Sequence, residues 1–225
     1  MAEARSGRRV WLAGATGLVG RELLDRLLAD PDTQAVHLLL RRADPMLPAH
    51  PKLQNHLVDF DRLPALPPAD EVFIALGTTI KQAGSQQAFR RVDFDAVVNT
   101  ARAGRAAGAT RLGIVSALGA NTRSGVFYNR VKGEMQQAVA AQGYDTVVFA
   151  QPSLLMGDRA RLGQPVRPLE ALAMRWSRPV MALLPRGVRP IAASDVAAAL
   201  LQAMRSAGAG VKLLDSGAMQ GASRH

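Results

Sequence analysis

The sequence predicts an α/β fold: a doubly wound parallel sheet covered by helices on both faces, with a small C-terminal cap. Three observations predict it. Short apolar runs of strand length alternate with longer stretches of helical period. The first run feeds directly into a glycine turn that opens a helix. The 225 residues are 48% hydrophobic and 20% charged, enough apolar side chain for one sizeable core.

Val10–Ala13 is the first run, short and continuous as in a strand buried on both faces. Leu18, Leu23, Leu24, Leu27 and Leu28 recur at helical spacing, and Asp30-Pro31 closes that helix. Val36–Leu40 is the second strand, followed by a loop with Pro45, Pro48 and Pro51. Asn55–Val58 reads as the third strand, and Pro64, Pro67 and Pro68 mark the next loop. Glu71–Leu76 is the fourth strand, and Gln86–Ala107 one long helix ending at Gly108. Arg111–Ser116 is the fifth strand, Asn129–Gln142 a helix and Thr146–Ala150 the sixth strand. Residues 156–190 are richer in Pro, Arg and Met with weak periodicity, and are expected to form the cap. Ala193–Met204 is a final helix, Val211–Leu214 a last strand, and the tail from Ser216 is expected to fray. Strand–helix alternation of this kind requires crossovers, hence a parallel sheet.

Composition excludes several functions. There is no cysteine, so disulfides, a thiolate nucleophile, Cys-ligated zinc and iron–sulfur clusters are ruled out. The net charge is +10, nearly all of it from arginine, with lysine only at 52, 81, 132 and 212. The densest basic groups are Arg8-Arg9, Arg41-Arg42 and Arg90-Arg91, which form no stripe, so nucleic-acid binding is not expected. No run approaches the ~18 apolar residues of a membrane span. Basic residues followed by an apolar patch at the start resemble a signal peptide, but the patch is only Val10–Ala13, and a cytoplasmic protein is expected.

Gly14-Ala15-Thr16-Gly17-Leu18-Val19-Gly20 lies where strand meets helix. The first glycine permits the tight turn, the second lets backbone approach a pyrophosphate, and the third lets helix pack on strand. The helix start, at Leu18 and Val19, presents free N–H groups and a positive dipole end. Arg41 and Arg42 follow the second strand, about twenty residues on, where an acidic residue would hydrogen-bond the 2′-hydroxyl of NAD. Arginine there suits the 2′-phosphate of NADP(H), which is the cofactor expected; Asp44 is the acidic alternative, further along.

Tyr128 and Lys132 are four apart at the start of a helix and share one face. An ammonium beside a phenol favours its ionised form, so the pair suits proton exchange with a carbonyl or alcohol. With two Tyr and four Lys in the chain, chance would supply this spacing about 0.04 times. Ser116 ends the fifth strand and is the nearest hydroxyl that could orient a carbonyl.

These residues together resemble the short-chain dehydrogenase/reductase superfamily, and within it the atypical NAD(P)H-binding subgroup related to the human Tat-interacting protein. The resemblance covers most of the chain. It runs through Val58-Asp59-Phe60, Ala75-Leu76-Gly77-Thr78-Thr79 with Ala83-Gly84-Ser85, and Phe89-Arg90-Arg91-Val92-Asp93. It continues through Ser116-Ala117-Leu118-Gly119-Ala120, Tyr128 to Lys132-Gly133-Glu134, and Gln151-Pro152-Ser153-Leu154-Leu155-Met156-Gly157-Asp158-Arg159. The resemblance implies a single Rossmann-like domain over 1–225. It implies that Asp59 and Phe60 lie by the adenine, that Leu76, Gly77 and Thr78 line the cofactor, and that Pro152, Ser153 and Leu154 lie near the nicotinamide. It further implies Tyr128 and Lys132 as the catalytic pair, with Lys132 on the nicotinamide ribose. The chain departs from the pattern at Ala117 and Leu118, where relatives carry hydroxyls, which leaves Ser116 or Ser124 as the third member, or none. It also has Gln151 where many relatives have arginine.

Two readings follow: an NADP(H)-dependent oxidoreductase acting on a small carbonyl or alcohol, or a non-catalytic NADP(H)-binding regulatory module with a protein partner. The substrate and the oligomeric state are left open. The four histidines have no metal-ligand spacing, and His37 is expected to pack in its strand. Asp195 is expected to cap or compensate the last helix, and Asn99 to be structural.

Overall fold

A computed structural model describes residues 7–156, 185 and 187–224. Most of the expected cap, including Arg159, Arg161, Arg167, Arg175, Arg178 and Arg186, lies outside the described residues. The strands are β1 (Arg8–Ala13), β2 (Thr33–Leu40), β3 (Leu53–Leu57), β4 (Glu71–Ile74), β5 (Arg111–Val115) and β6 (Thr146–Gln151). The short β7 (Leu155–Met156) and β8 (Ile191–Ala192) follow, then β9 (Gly210–Asp215). The helices are α1 (Leu18–Ala29), α2 (Ile80–Ala83), α3 (Gln86–Arg90), α4 (Ala96–Ala106), α5 (Phe127–Ala140), α6 (Ala193–Ser206) and α7 (Ser216–Met219).

Seven strands form one sheet in the order β3-β2-β1-β4-β5-β6-β9, and every pairing is parallel. β7 and β8 form a separate two-stranded parallel ladder. The order reverses between β1 and β4. Connections leave β1 toward opposite edges there, which opens a crevice at the carboxyl ends of the strands.

The apolar runs are continuous because both faces are buried. Val10 and Leu12 pack with Leu23, Leu24, Leu27 and the α6 residues Val196, Leu200 and Met204 on one face. Trp11 and Ala13 pack with Val97, Ala101, Met135 and Val139 from α4 and α5 on the other. The amino ends of the strands are closed by ion pairs: Arg8 Nη1 to Glu71 Oε2 at 3.0 Å and Arg205 Nη2 to Asp30 Oδ2 at 2.7 Å.

Two expectations change, the unbroken helix and the fraying tail. The helix expected over Gln86–Ala107 is broken by a π-helical turn at Arg91–Asp95. A π turn inserts a residue into the helical repeat. Here it carries the fully buried Asp93 inward. Asp195 does not cap α6 but lies in its first turn, the dipole-compensating position that was the other expectation, and its carboxylate accepts from the Gly221 and Ser223 N–H groups, each at 3.0 Å. That contact ties down the tail expected to fray, which instead forms α7 and a 3₁₀ turn at Ala222–Arg224, with Met219 fully buried.

Candidate functional site

The crevice predicted by the strand order is a cleft of about 900 Å3. Its lining comes from the carboxyl ends of four neighbouring strands. β1 gives Gly14, Thr16 and Gly17, and β2 gives Arg41 and Arg42. β3 is followed by Asp59 and Phe60, and β4 by Leu76, Gly77 and Thr78. Arg91 and Val92 of the π turn close the far side.

The glycine turn is built by steric necessity. Gly14 has φ +91°, and a Cβ there would come within 2.5 Å of the Ala75 backbone. A Cβ on Gly20 would lie 1.9 Å from the Gly14 carbonyl oxygen. The third glycine therefore serves the approach of α1 to its own entry turn. A Cβ on Gly17 would meet only that same oxygen, at an ordinary 3.4 Å, so this position keeps open space for a ligand rather than for packing. Leu18 and Val19 pack downward into the core, and only their backbone faces the turn. α1 has no side-chain cap and no acidic residue in its first turn, which leaves its N–H groups for an anion. The cradle, the uncapped helix and the Arg41-Arg42 pair fit the pyrophosphate and adenosine half of a dinucleotide.

Asn99, expected to be structural, donates from Nδ2 to the Phe60 carbonyl at 3.0 Å. It pins from α4 the loop that the resemblance places beside the adenine.

Tyr128 and Lys132 occupy the first two turns of α5. The Tyr128 ring packs on Phe89 at 5.3 Å between centroids. The Arg90–Glu134 ion pair joins α3 to α5 in the same region. Lys132 is buried, and its Nζ lies 2.8 Å from Asp93 Oδ1. Asp93 Oδ2 accepts from the Thr78 N–H at 2.9 Å. Burial alone would depress the lysine, but the Asp93 carboxylate, with a smaller contribution from Tyr128, holds its pKa above the ordinary value. Neither Tyr128 nor Lys132 lines the cleft just described; they adjoin it through Gly77, Thr78 and Asp93.

Ser116 is buried at the end of β5, and its Oγ accepts from Gln136 Nε2 at 2.7 Å. Gln136 Oε1 in turn faces Gln151 Nε2 at 3.4 Å. Ser124 sits in the turn before α5, where its Oγ accepts from the Val126 N–H at 3.2 Å. Pro152, Ser153 and Leu154 follow β6. The Pro152 carbonyl accepts from Leu118 N–H at 2.9 Å, the Ser153 hydroxyl donates to the Arg189 carbonyl, and the Leu154 carbonyl accepts from Ile191 N–H at 2.9 Å. These three residues therefore form a strap between the β5 loop and β8. Sequence reasoning gave no role to Asp93, quoted only within the Phe89–Asp93 stretch of the resemblance, and missed Gln136, whose only signal was a helical position.

Fold and cleft define a class of protein, the dinucleotide-binding α/β proteins. Solved structures of the same fold include WbmG of Bordetella bronchiseptica in complex with NAD and UDP. It has a TM-score of 0.69 at 15% identity, covering 96% of this chain and 75% of that one. Another is the oxidoreductase ylbE of Lactococcus lactis, with a TM-score of 0.63 at 17% identity, covering 96% and 97%. At such identities the likeness is one of fold.

The chain belongs to the NAD(P)H-binding family, whose model matches residues 14–207. The curated relative fmp52 of Aspergillus fumigatus is 35% identical over 214 residues, 92% of this chain and 88% of that protein. HTATIP2 of Rattus norvegicus is 33% identical over 174 residues, 75% and 70% of the two chains. These relatives bear out the resemblance to the atypical short-chain dehydrogenase/reductase subgroup. They also correct one expectation: fmp52 proteins from several fungi are named mitochondrial, against the cytoplasmic location read from the sequence. Among the described residues no helix is long and apolar enough to cross a membrane.

Proposed function

We propose that this protein is an NADP(H)-dependent oxidoreductase that interconverts a small carbonyl compound and its alcohol, with Tyr128 as acid and base. The observation that carries the reading is the Tyr128–Lys132 pair, set one helical turn apart beside the glycine-turn cleft with the lysine buried and charge-compensated.

A bound nicotinamide supplies or accepts the hydride. The chain's own residues do the rest. Tyr128, its ring held by Phe89, gives a proton to the carbonyl oxygen or takes one from the alcohol. Lys132 keeps a positive charge next to that phenol and reaches toward the ribose. Arg41 and Arg42 favour a 2′-phosphate, since β2 ends at Leu40 with no acidic residue before the arginines. Ser116 accepts from Gln136, which leaves its own proton to donate.

One observation favours the second reading, a non-catalytic NADP(H)-binding regulatory module. Ala117 and Leu118 follow Ser116 at the end of β5, so no second hydroxyl stands there beside it.

The test is NADPH consumption against a panel of aldehydes and ketones, for the wild type and Tyr128→Phe. The expected result is turnover that falls at least about 100-fold in the variant, with NADPH affinity unchanged. Full turnover in Tyr128→Phe contradicts the mechanism. Tight NADPH binding with no turnover across the panel supports the regulatory reading.

A further inference from the structure

The proton chemistry above uses Tyr128 and Lys132 and leaves Asp93 unassigned. Asp93 is fully buried, and it sits in the one π-helical turn among the described residues. Its two oxygens face different partners. Oδ1 lies 2.8 Å from the Lys132 ammonium, and Oδ2 accepts from the Thr78 N–H at 2.9 Å. The ammonium carries three N–H donors, and at 2.8 Å it directs no more than one of them at Oδ1. That leaves N–H bonds of Lys132 for other acceptors. Gly77 lies between this ion pair and the cleft it lines; a Cβ there would be 3.5 Å from Asp93 Oδ1 and 4.0 Å from Lys132 Nζ. With no side chain at 77, the lysine adjoins the cleft where β4 ends. The adenosine half of a bound dinucleotide would lie away from it, toward Arg41, Arg42, Asp59 and Phe60 at the ends of β2 and β3.

The π turn at Arg91–Asp95 carries this carboxylate. π turns cost hydrogen-bond geometry and occur mostly where function retains them. The cost here is met by an ion pair between α4's approach and α5, and by a clamp on the backbone that faces the ligand.

We propose that Asp93 is a positioning residue for the dinucleotide: it holds the Lys132 ammonium against the nicotinamide-ribose half of the cleft and locks it to the Thr78 backbone. The proposal rests on the reading of the cleft as a dinucleotide site. The titratable groups whose charges reach Lys132 are Asp93 from the π turn and Tyr128 from the preceding turn of α5. Without Asp93, burial of Lys132 acts alone and favours loss of its proton.

Calorimetric titration of the full chain tests this with two probes, NADPH and its adenosine fragment 2′,5′-ADP, between pH 6.5 and 9. Wild-type affinity for NADPH is expected to change little across that range. In Asp93→Asn, which keeps an acceptor for Thr78, NADPH affinity is expected to fall about tenfold as pH rises, following proton loss from Lys132. Affinity for 2′,5′-ADP is expected to stay within about twofold of wild type, because the fragment lacks the nicotinamide ribose.

Parallel NADPH profiles in wild type and Asp93→Asn overturn the proposal, and so does equal weakening of both probes, which marks a purely structural role. A second comparison guards against misfolding. In a Lys132→Met background, Asp93→Asn is expected to change NADPH affinity no further, and an unchanged effect there overturns the proposal. Failure of the wild type to bind either probe instead overturns the dinucleotide reading itself, so the two failures are distinguishable.

Discussion

Gln136 donates from Nε2 to Ser116 Oγ at 2.7 Å, a contact between the second half of α5 and the end of β5. Gln136 Oε1 in turn faces Gln151 Nε2 at 3.4 Å. A serine whose oxygen already accepts is biased to donate its proton. If Ser116 orients a carbonyl, its partner matters as much as the hydroxyl. Gln136→Leu is expected to lower kcat about tenfold and leave NADPH affinity unchanged, since the Gln136 amide engages Ser116 and Gln151. Steady-state kinetics with the carbonyl found in the panel, beside a calorimetric Kd, check this. An unchanged kcat in both Gln136→Leu and Ser116→Ala would remove Ser116 from the mechanism.

The glycines of the turn divide by what a methyl group meets. Gly20→Ala puts a Cβ 1.9 Å from the Gly14 oxygen, a clash with backbone that cannot be relieved by a rotamer change. It is expected to cost about 3 kcal/mol of stability. Gly17→Ala, with its nearest atom at 3.4 Å, is expected to fold normally and to lose cofactor affinity, because the methyl occupies ligand space. Urea unfolding and NADPH titration of both variants separate the two effects. Equal stability of the two would show that the turn is looser than described.

His37 Nδ1 and His56 Nε2 lie 3.0 Å apart on neighbouring strands β2 and β3. Both pKa values sit below the usual histidine range: burial is the main cause in each, with the His56 and Arg9 charges adding for His37. The unfolded chain therefore binds protons that the folded chain refuses once pH drops below about 6.5. Stability is present above that value and is expected to decline as pH falls through it. Urea midpoints of His56→Gln are expected to decline less steeply than wild type between pH 7.5 and 5. Parallel slopes would assign the acid sensitivity elsewhere.

Much of the fold was legible because burial on both faces writes itself as continuous apolar runs. Val10–Ala13 and Val36–Leu40 needed no further signal, and the glycine turn followed from its place between strand and helix. The π turn was not legible. Arg91–Asp95 has ordinary helical composition, and what breaks the regular repeat is a partnership with Thr78 and Lys132 across 15 and 39 residues of sequence. The partners of Asn99 and Asp195 were hidden for the same reason, although the structural role expected of Asn99 and the helix-start position of Asp195 both hold. Both bind distant backbone, at Phe60 and at Gly221 and Ser223, and nothing local announces such partners. The candidate site was legible where backbone geometry makes it and hidden where side chains from separate helices meet.

Calorimetric titration of the wild-type protein with NADPH and, separately, NADH tests most directly the proposal that the cleft beside Arg41 and Arg42 takes NADP(H) as the cofactor of a Tyr128-dependent reaction. NADPH is expected to bind at least about tenfold tighter than NADH, with the difference abolished in Arg41→Ala/Arg42→Ala, as charge-assisted contacts to a 2′-phosphate require. Equal affinities in the wild type, or no binding of either by the folded protein, would contradict it.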